Sequence, residues 1–364
     1  MPKATPQIEA IPATTPFVAP EELARNAGRA TLLRLGANES SFGVSPKALA
    51  AMRAELERTW WYADPESFDL RTRLAALHGC TIRNITIASG IDELLGLAVR
   101  AYVGPGGVAL TTYGSYPTFN YHVIGYGGHL ANVPYRADAH IDLAALVHQA
   151  HAQNATLVYL ANPDNPAGTF LGAEHIRAFI RDLPAQTLLV YDEAYGEFAP
   201  QEQVLPEGIY DNVLRVRTFS KAYGMAGARL GYALASQAVA ATFNKIRLHY
   251  GINRTAQVGA LAAIDDRVFV DDVVRAVDAG RRDYYDIARR HDLAVIPSCT
   301  NFVCMDLGTL ERAQGLVRAL LSLGVFIRKP GAPPLDRYVR VTVGTPPERE
   351  EFARLLPRAL DLLA

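Results

Sequence analysis

Between about residues 66 and 250 the chain alternates short β-rich runs with stretches whose apolar residues recur at spacings of three and four. The runs are NITIAS, GVALTT, HLANVPY, ATLVYLAN, LLVYDEAY, NVLRVRTFS and GYALAS, with helical stretches such as DELLGLAVRAYV and LAALVHQAHA between them. This alternation predicts an α/β fold with a mostly parallel, seven-stranded sheet covered by helices on both faces. In such open sheets ligands bind beyond the carboxyl ends of the strands, so chemistry is sought in the residues that directly follow each run.

After residue 250 the pattern changes to long helical segments over roughly 253–291. These are followed by LAVIPS, NFVCMDL, a helix to about 323, VFIRK, YVRVTV and a final helix. The stretch before residue 63 shows no strands of its own. The expected organisation is therefore an extended, Pro-rich arm at 1–28, a small α+β domain from 29–62 and 250–364, and a large domain at 63–249.

Lys plus Arg (36) nearly cancels Asp plus Glu (37), so the net charge of −1 supplies no field for nucleic acid or anionic lipid. No basic stretch or helix-turn-helix pattern precedes the sheet, which argues against a DNA-binding regulator. The three cysteines, Cys80, Cys299 and Cys304, lack the paired spacing of a zinc site and read as buried thiols in a reducing compartment, with no metal. No run is long and apolar enough to span a bilayer. A soluble, cytoplasmic protein acting on small molecules is expected.

Four motifs concentrate the chemistry. In RTFSKAYGMAGARLG, Lys221 directly follows a strand and is surrounded by glycines that permit close backbone approach, while Thr218, Ser220 and Arg229 offer donors suited to a phosphate. In SGIDE, a strand gives way to a helix, so Gly90 and the backbone N–H groups of Ile91 and Asp92 form a second anion site. The same letters also make an ordinary helix start. In LLVYDEAYGEF, Asp192 leaves an apolar strand and Tyr195 follows. A carboxylate there needs a cation or donors, which a helix cap, an arginine or a protonated pyridine nitrogen would each supply. In ANPDNPAGTF, Asn165 precedes Pro166. Taken alone this is a turn, but it also holds an amide donor rigidly. Together the four describe a holder for pyridoxal 5'-phosphate, with an amine for its aldehyde, donors for its phosphate, a carboxylate for its ring nitrogen and donors for its phenolate.

With these residues in view, the sequence resembles the fold-type I aminotransferases, and within them the histidinol-phosphate aminotransferase family. The resemblance runs from LGANESSFGVSP through WWYADPESFDLR, SGIDE, NPDNPAG, YDEAY and SKAYGMAGARLGY to YVRVTVGTPPE. It implies an aspartate-aminotransferase-like fold and a homodimer with shared active sites. It makes Lys221 the Schiff-base lysine, Asp192 the partner of the ring nitrogen, and Asn165 and Tyr195 the phenolate groups. Ser220 and Arg229 become phosphate ligands, joined by Tyr62 from the second subunit. Phe119 falls where the family stacks a ring on the cofactor, with Tyr116 as the alternative. Arg340 and Arg328 match the arginines that receive the substrate's anionic group, and Phe17 and Asn38 fall near the substrate.

The activity implied is transamination between histidinol phosphate and 2-oxoglutarate. NESS, DNPAG and KPGAPPLDRYV depart from common family versions on the substrate side. An aminotransferase for aromatic or other amino acids therefore remains an alternative, as does a decarboxylase of a phosphorylated amino acid such as threonine phosphate.

Overall fold

The computed structural model describes residues 2–12 and 18–363. Twelve strands occur among them: Leu33–Arg34 (β1), Ile85–Ala88 (β2), Val108–Thr112 (β3), His129–Val133 (β4), Leu157–Ala161 (β5), Leu188–Asp192 (β6), Val213–Thr218 (β7), Gly231–Leu234 (β8), Val295–Ile296 (β9), Phe302–Asp306 (β10), Val325–Phe326 (β11) and Tyr338–Thr342 (β12). Seven of them form the main sheet in the order β2-β8-β7-β6-β5-β3-β4. Only β8 runs against its neighbours, pairing antiparallel with β2 and β7. Each of the seven corresponds to one of the β-rich runs.

The central strands are apolar without alternation because both faces are covered. In β6, Leu189 and Tyr191 enter one core cluster while Leu188 and Val190 enter another on the opposite face. The helix Ile91–Tyr102 covers the second face, burying Leu94, Leu95, Ala98 and Val99 completely. Their spacing places them on one stripe.

The remaining strands form two small sheets, an antiparallel one in the order β12-β10-β9 and the parallel pair β1-β11. The N-terminal stretch thus contains a strand that was not expected. Two residues are too few to give a periodic signal, and β1 exists through its register with β11, Leu33 opposite Val325. The helix Pro46–Glu55 packs along the helix Arg254–Ile264, tying the early segment to the later half of the chain. The arm is less extended than its prolines suggested. Pro6–Glu9 and Pro20–Asn26 are helical, each with its proline at the helix start, where a missing N–H costs nothing.

One ion pair lies entirely inside. Arg215 of β7 is 1% exposed at its side chain and donates from Nε and Nη2 to the two oxygens of Glu193, which is 3% exposed, both at 2.8 Å. Removing one partner of such a pair strands a charge in the core. Glu193→Ala should cost about 3–5 kcal/mol in urea unfolding, and a loss under about 1 kcal/mol would show that the pair contributes little.

Candidate active site

Asp192 ends β6 and is buried. Its Oδ2 accepts from the Tyr159 hydroxyl at 2.8 Å, and its Oδ1 from the Ala194 amide at 2.9 Å. Both donors are neutral, and no ion pair to Asp192 occurs among the described residues. Burial pushes its carboxyl up to about 6, with the two hydrogen bonds working against that rise. The site therefore holds a desolvated carboxylate that lacks a cation.

Lys221 follows β7 by three residues. Its Nζ donates to the backbone carbonyl of Asn38 at 3.0 Å and lies 5.6 Å from the centre of the Tyr195 ring. Burial, aided by the charge of Arg340, brings its ammonium down to about 8. Asn38 is the joint of this region. Its backbone sits at φ +55°, a strained conformation for a side-chain-bearing residue. Its Nδ2 donates to the Tyr195 hydroxyl at 2.9 Å, and its amide to Thr342 Oγ1 at 3.0 Å. Asn301 Nδ2 donates to the same carbonyl as Lys221, at 3.1 Å.

An anion cup lies beyond β2, β7 and β8. Gly90 takes φ +80° just before the helix that begins at Ile91, and a Cβ there would stand 2.6 Å from the Arg229 guanidinium. A side chain there would displace Arg229 from its place across this turn, and the positive φ itself favours glycine. Thr218 Oγ1 donates to Ser220 Oγ at 3.0 Å, bringing two hydroxyls to the same edge. Arg229 reaches the Asp92 carboxylate at 3.4 Å, and Tyr116 donates to the other oxygen of Asp92 at 2.9 Å. Gly224 has a different task, since a Cβ on it would fall 1.8 Å from the Gly43 carbonyl. Gly227 faces open space.

On the other side, Arg340 of β12 donates from Nη1 to Asn165 Oδ1 at 2.6 Å, with the Phe302 ring centre 5.2 Å from its guanidinium carbon. Its Nε is buried without a partner. Arg328 bridges to Arg340 through the backbone and donates to the Val18 carbonyl at 3.1 Å. Burial and the charge of Arg340 hold its guanidinium below the usual value.

Lys221, Asp192, Tyr195, Asn165, Asn38, Arg340, Arg328, Ser220, Thr218, Arg229, Gly90, Ile91 and Asp92 thus lie along one edge of the sheet and the strands that face it. Phe119 does not reach that edge. It is fully buried, stacked on Tyr159 at 5.1 Å between ring centres, and has no face to offer a ligand. Tyr116, three residues earlier and bonded to Asp92, is the aromatic on the site side. Tyr62 is 80% exposed, with its ring 4.7 Å from that of Tyr250, and no described contact joins it to the cluster within one chain. Phe17 lies outside the described residues.

Three contributors escaped the sequence reasoning. Tyr159 sits two residues before the end of β5, Thr342 two residues beyond Arg340 on β12, and Asn301 just before β10. For Thr342 a signal existed, because residues two apart on a strand share a face and Arg340 had been singled out.

The sequence profile of the aminotransferase class I and II family matches residues 30–356. The chain belongs to this family. A histidinol-phosphate aminotransferase 2 of Carboxydothermus hydrogenoformans is 35% identical over 349 residues, covering 94% of this chain and 95% of that protein. One of the same name from Pseudomonas aeruginosa is 35% identical, covering 98% and 97%. Among solved structures, a histidinol-phosphate aminotransferase of Sinorhizobium meliloti in complex with pyridoxal-5'-phosphate superposes with a TM-score of 0.96 at 45% identity, over 100% of this chain and 99% of that one. A Thermus thermophilus aspartate aminotransferase double mutant, 21% identical, shares the fold at a TM-score of 0.82. No helix among the described residues is long and apolar enough to cross a membrane.

The lowered value of Lys221 can be read directly in this aminotransferase. In cofactor-free protein an amine-acylating reagent, followed by peptide mass spectrometry, should label Lys221 with a half-maximal rate near pH 8. Exposed lysines should label with midpoints near about 10.4. Coincident midpoints would mean that the amine is not desolvated.

Proposed function

We propose that this chain is a pyridoxal-phosphate-dependent aminotransferase that moves the amino group of histidinol phosphate to 2-oxoglutarate in histidine biosynthesis, acting as a cytoplasmic homodimer. Its arm would be residues 1–28, its small domain 29–62 and 250–364, and its cofactor domain 63–249. The observation that carries the assignment is the pair formed by Asp192 and Lys221: a buried carboxylate without a cation, and a desolvated amine whose burial favours the neutral form. A cofactor with a protonatable ring nitrogen and an aldehyde answers both.

The residues present fit that group. Asp192 would hold the ring-nitrogen proton, its position fixed by Tyr159 and Ala194. With Oδ1 of Asn165 committed to Arg340, its Nδ2 is the donor left for the phenolate oxygen. The Tyr195 hydroxyl, which accepts from Asn38, keeps its own proton to donate to the same oxygen. Thr218, Ser220, Arg229 and the amides of Ile91 and Asp92 would hold the phosphate, with Gly90, whose own amide donates to the Ala88 carbonyl at 2.8 Å, shaping the turn beneath it and Tyr62 of a second copy closing the cup. Tyr116 takes the stacking role that Phe119 cannot.

What the bound group supplies is an electron sink for the charge left when the substrate's α-carbon loses a proton. Lys221 would take that proton as a neutral amine and, as an ammonium, return it to the carbon two atoms away that came from the cofactor's aldehyde. The Asn38 carbonyl gives the amine a resting acceptor between these tasks. Arg340 and Arg328 hold the substrate's anionic end, carboxylate in one half reaction and phosphate in the other.

With purified cofactor-loaded protein, glutamate and histidinol phosphate should each discharge the absorbance of the lysine-bound cofactor, and aromatic amino acids should not. Discharge by aromatic amino acids alone would overturn the substrate assignment. Lys221→Ala should lower turnover by at least about 10³-fold and Asp192→Asn by about 10²–10⁴-fold, both in folded protein. Full turnover by Lys221→Ala would remove the mechanism.

A further inference from the structure

Asp164 is an acid at this edge that the mechanism leaves unused. It occupies the turn after β5, one residue before Asn165, and is 1% exposed. Its Oδ2 accepts from the Ala167 amide at 2.9 Å, and the Tyr135 hydroxyl donates to its two oxygens at 3.1 and 3.3 Å. Its own amide donates to the Thr169 carbonyl at 2.8 Å, and Gly168 donates back to its carbonyl at 3.0 Å. The side chain and backbone of one residue therefore close the whole 164–169 turn. Asn165 stands on that turn with Oδ1 against Arg340.

Both donors to the carboxyl are neutral. A carboxylate buried with neutral partners alone is poorly compensated, and burial lifts this one to about 7. Among the described residues, the ionisable groups that face it are Tyr135 beyond β4, Tyr159 on β5, Asp192 ending β6, Tyr195 after it, Cys304 on β10 and Arg340 on β12. Burial pushes the three tyrosines and the thiol upward, so they stay neutral around pH 7. Asp192 is itself an acid, which leaves Arg340 as the cation whose field favours the ionised form of Asp164.

We infer that Asp164 is a positioning residue with two separable effects: its oxygens lock the turn that presents Asn165 to Arg340, and its negative charge weakens the hold of Arg340 on an anionic substrate. The inference rests on Arg340 being the anion-binding arm of the aminotransferase site. An anion on Arg340 cancels the field that favours ionised Asp164. Coupling between two binding equilibria is reciprocal, so the ionised carboxylate must weaken anion binding by the same factor. Moving the carboxyl's titration by about half a unit to one unit corresponds to about three- to tenfold in affinity above that titration and nothing below it.

Two variants separate the effects. Asp164→Asn keeps an oxygen for the Ala167 amide and removes the charge; Asp164→Ala removes both. The probe is glutarate, a dicarboxylate with no amino group to react, titrated calorimetrically into purified cofactor-loaded protein at pH 5.5 and pH 8.5. Each affinity is compared with that of wild type at the same pH, so titrations that are not coupled to Asp164 cancel. Asp164→Asn should match wild-type affinity at pH 5.5 and exceed it about three- to tenfold at pH 8.5. In turnover its change should appear in KM for the oxo acid rather than in kcat. Asp164→Ala should instead lower kcat by about tenfold and alter the visible circular dichroism of the bound cofactor, because Asn165 is no longer held. Should Asp164→Ala not fold, Tyr135→Phe, which removes one donor to the ionised form, should move the pH midpoint of glutarate affinity upward.

An Asp164→Asn variant with the wild-type pH dependence overturns the charge effect. An Asp164→Ala variant indistinguishable from Asp164→Asn overturns the turn-locking effect. The affinity comparison needs no turnover, so a wild type that transaminates none of the donors counts against the proposed function and leaves the test of Asp164 intact.

Discussion

Charge buried at the end of strands β6 and β7 is what the rest of the site is arranged around. Asp192 and Glu193 are consecutive, so their side chains leave opposite faces of the sheet. On one face Glu193 meets Arg215 of β7 through two hydrogen bonds of 2.8 Å and is neutralised inside the core. On the other, Asp192 meets only a phenol and an amide. The same pair of strands thus has the means to neutralise a buried carboxylate and uses it at one position only. The neighbouring asymmetry in Lys221, an amine whose nearest acceptor is a neutral carbonyl, has the same sense. Each group is held short of a counter-charge, and a ligand that brings the complementary chemistry recovers what burial cost.

Asn38 carries this arrangement across to the small sheets. Its strained backbone turns the chain after β1 so that carbonyl, amide and side chain serve Lys221, Thr342 and Tyr195 at once. A left-handed non-glycine residue costs of order 1 kcal/mol or more, and persists only where its surroundings fix it. Here Asn301 and Thr342 do so, one from the approach to β10 and the other from the end of β12. The lysine from the main sheet and the arginine from β12 are thereby brought to one centre by a residue belonging to neither sheet.

Much of this was legible in the sequence. Seven β-rich runs each became a strand of the main sheet, and the signal is plainest for β5 and β6, because a parallel strand buried on both faces writes an unbroken apolar run. Lys221 and Asp192 could be placed by their position at strand ends. What the letters did not carry was contact made only in three dimensions. The Leu33–Arg34 strand depends on a partner almost three hundred residues away, and Tyr159 looks like any core aromatic until its hydroxyl meets Asp192. The choice between Phe119 and Tyr116 turned on one helical turn, which spacing could not resolve. Burial favours Tyr116, since Phe119 is fully buried and spends a ring face on Tyr159.

Substrate recognition depends on a joint between the two halves of the site. Arg340 spends Nη1 on Asn165 and rests over Phe302, while Nη2 makes only a long contact with the Gly36 carbonyl at 3.5 Å and Nε finds no acceptor. A guanidinium held rigid on one side, with weakly used donors on the other, is preorganised for a two-oxygen anion and loses little entropy in binding it. Its fixed side is Asn165, whose remaining amide is the donor the proposed function assigns to the cofactor oxygen, so one side chain would link the substrate's anionic end to the ring, alongside Asp192 and Tyr195. That link would make the turn from Asp164 to Thr169, together with the arginines, an element on which discrimination among anionic substrates depends.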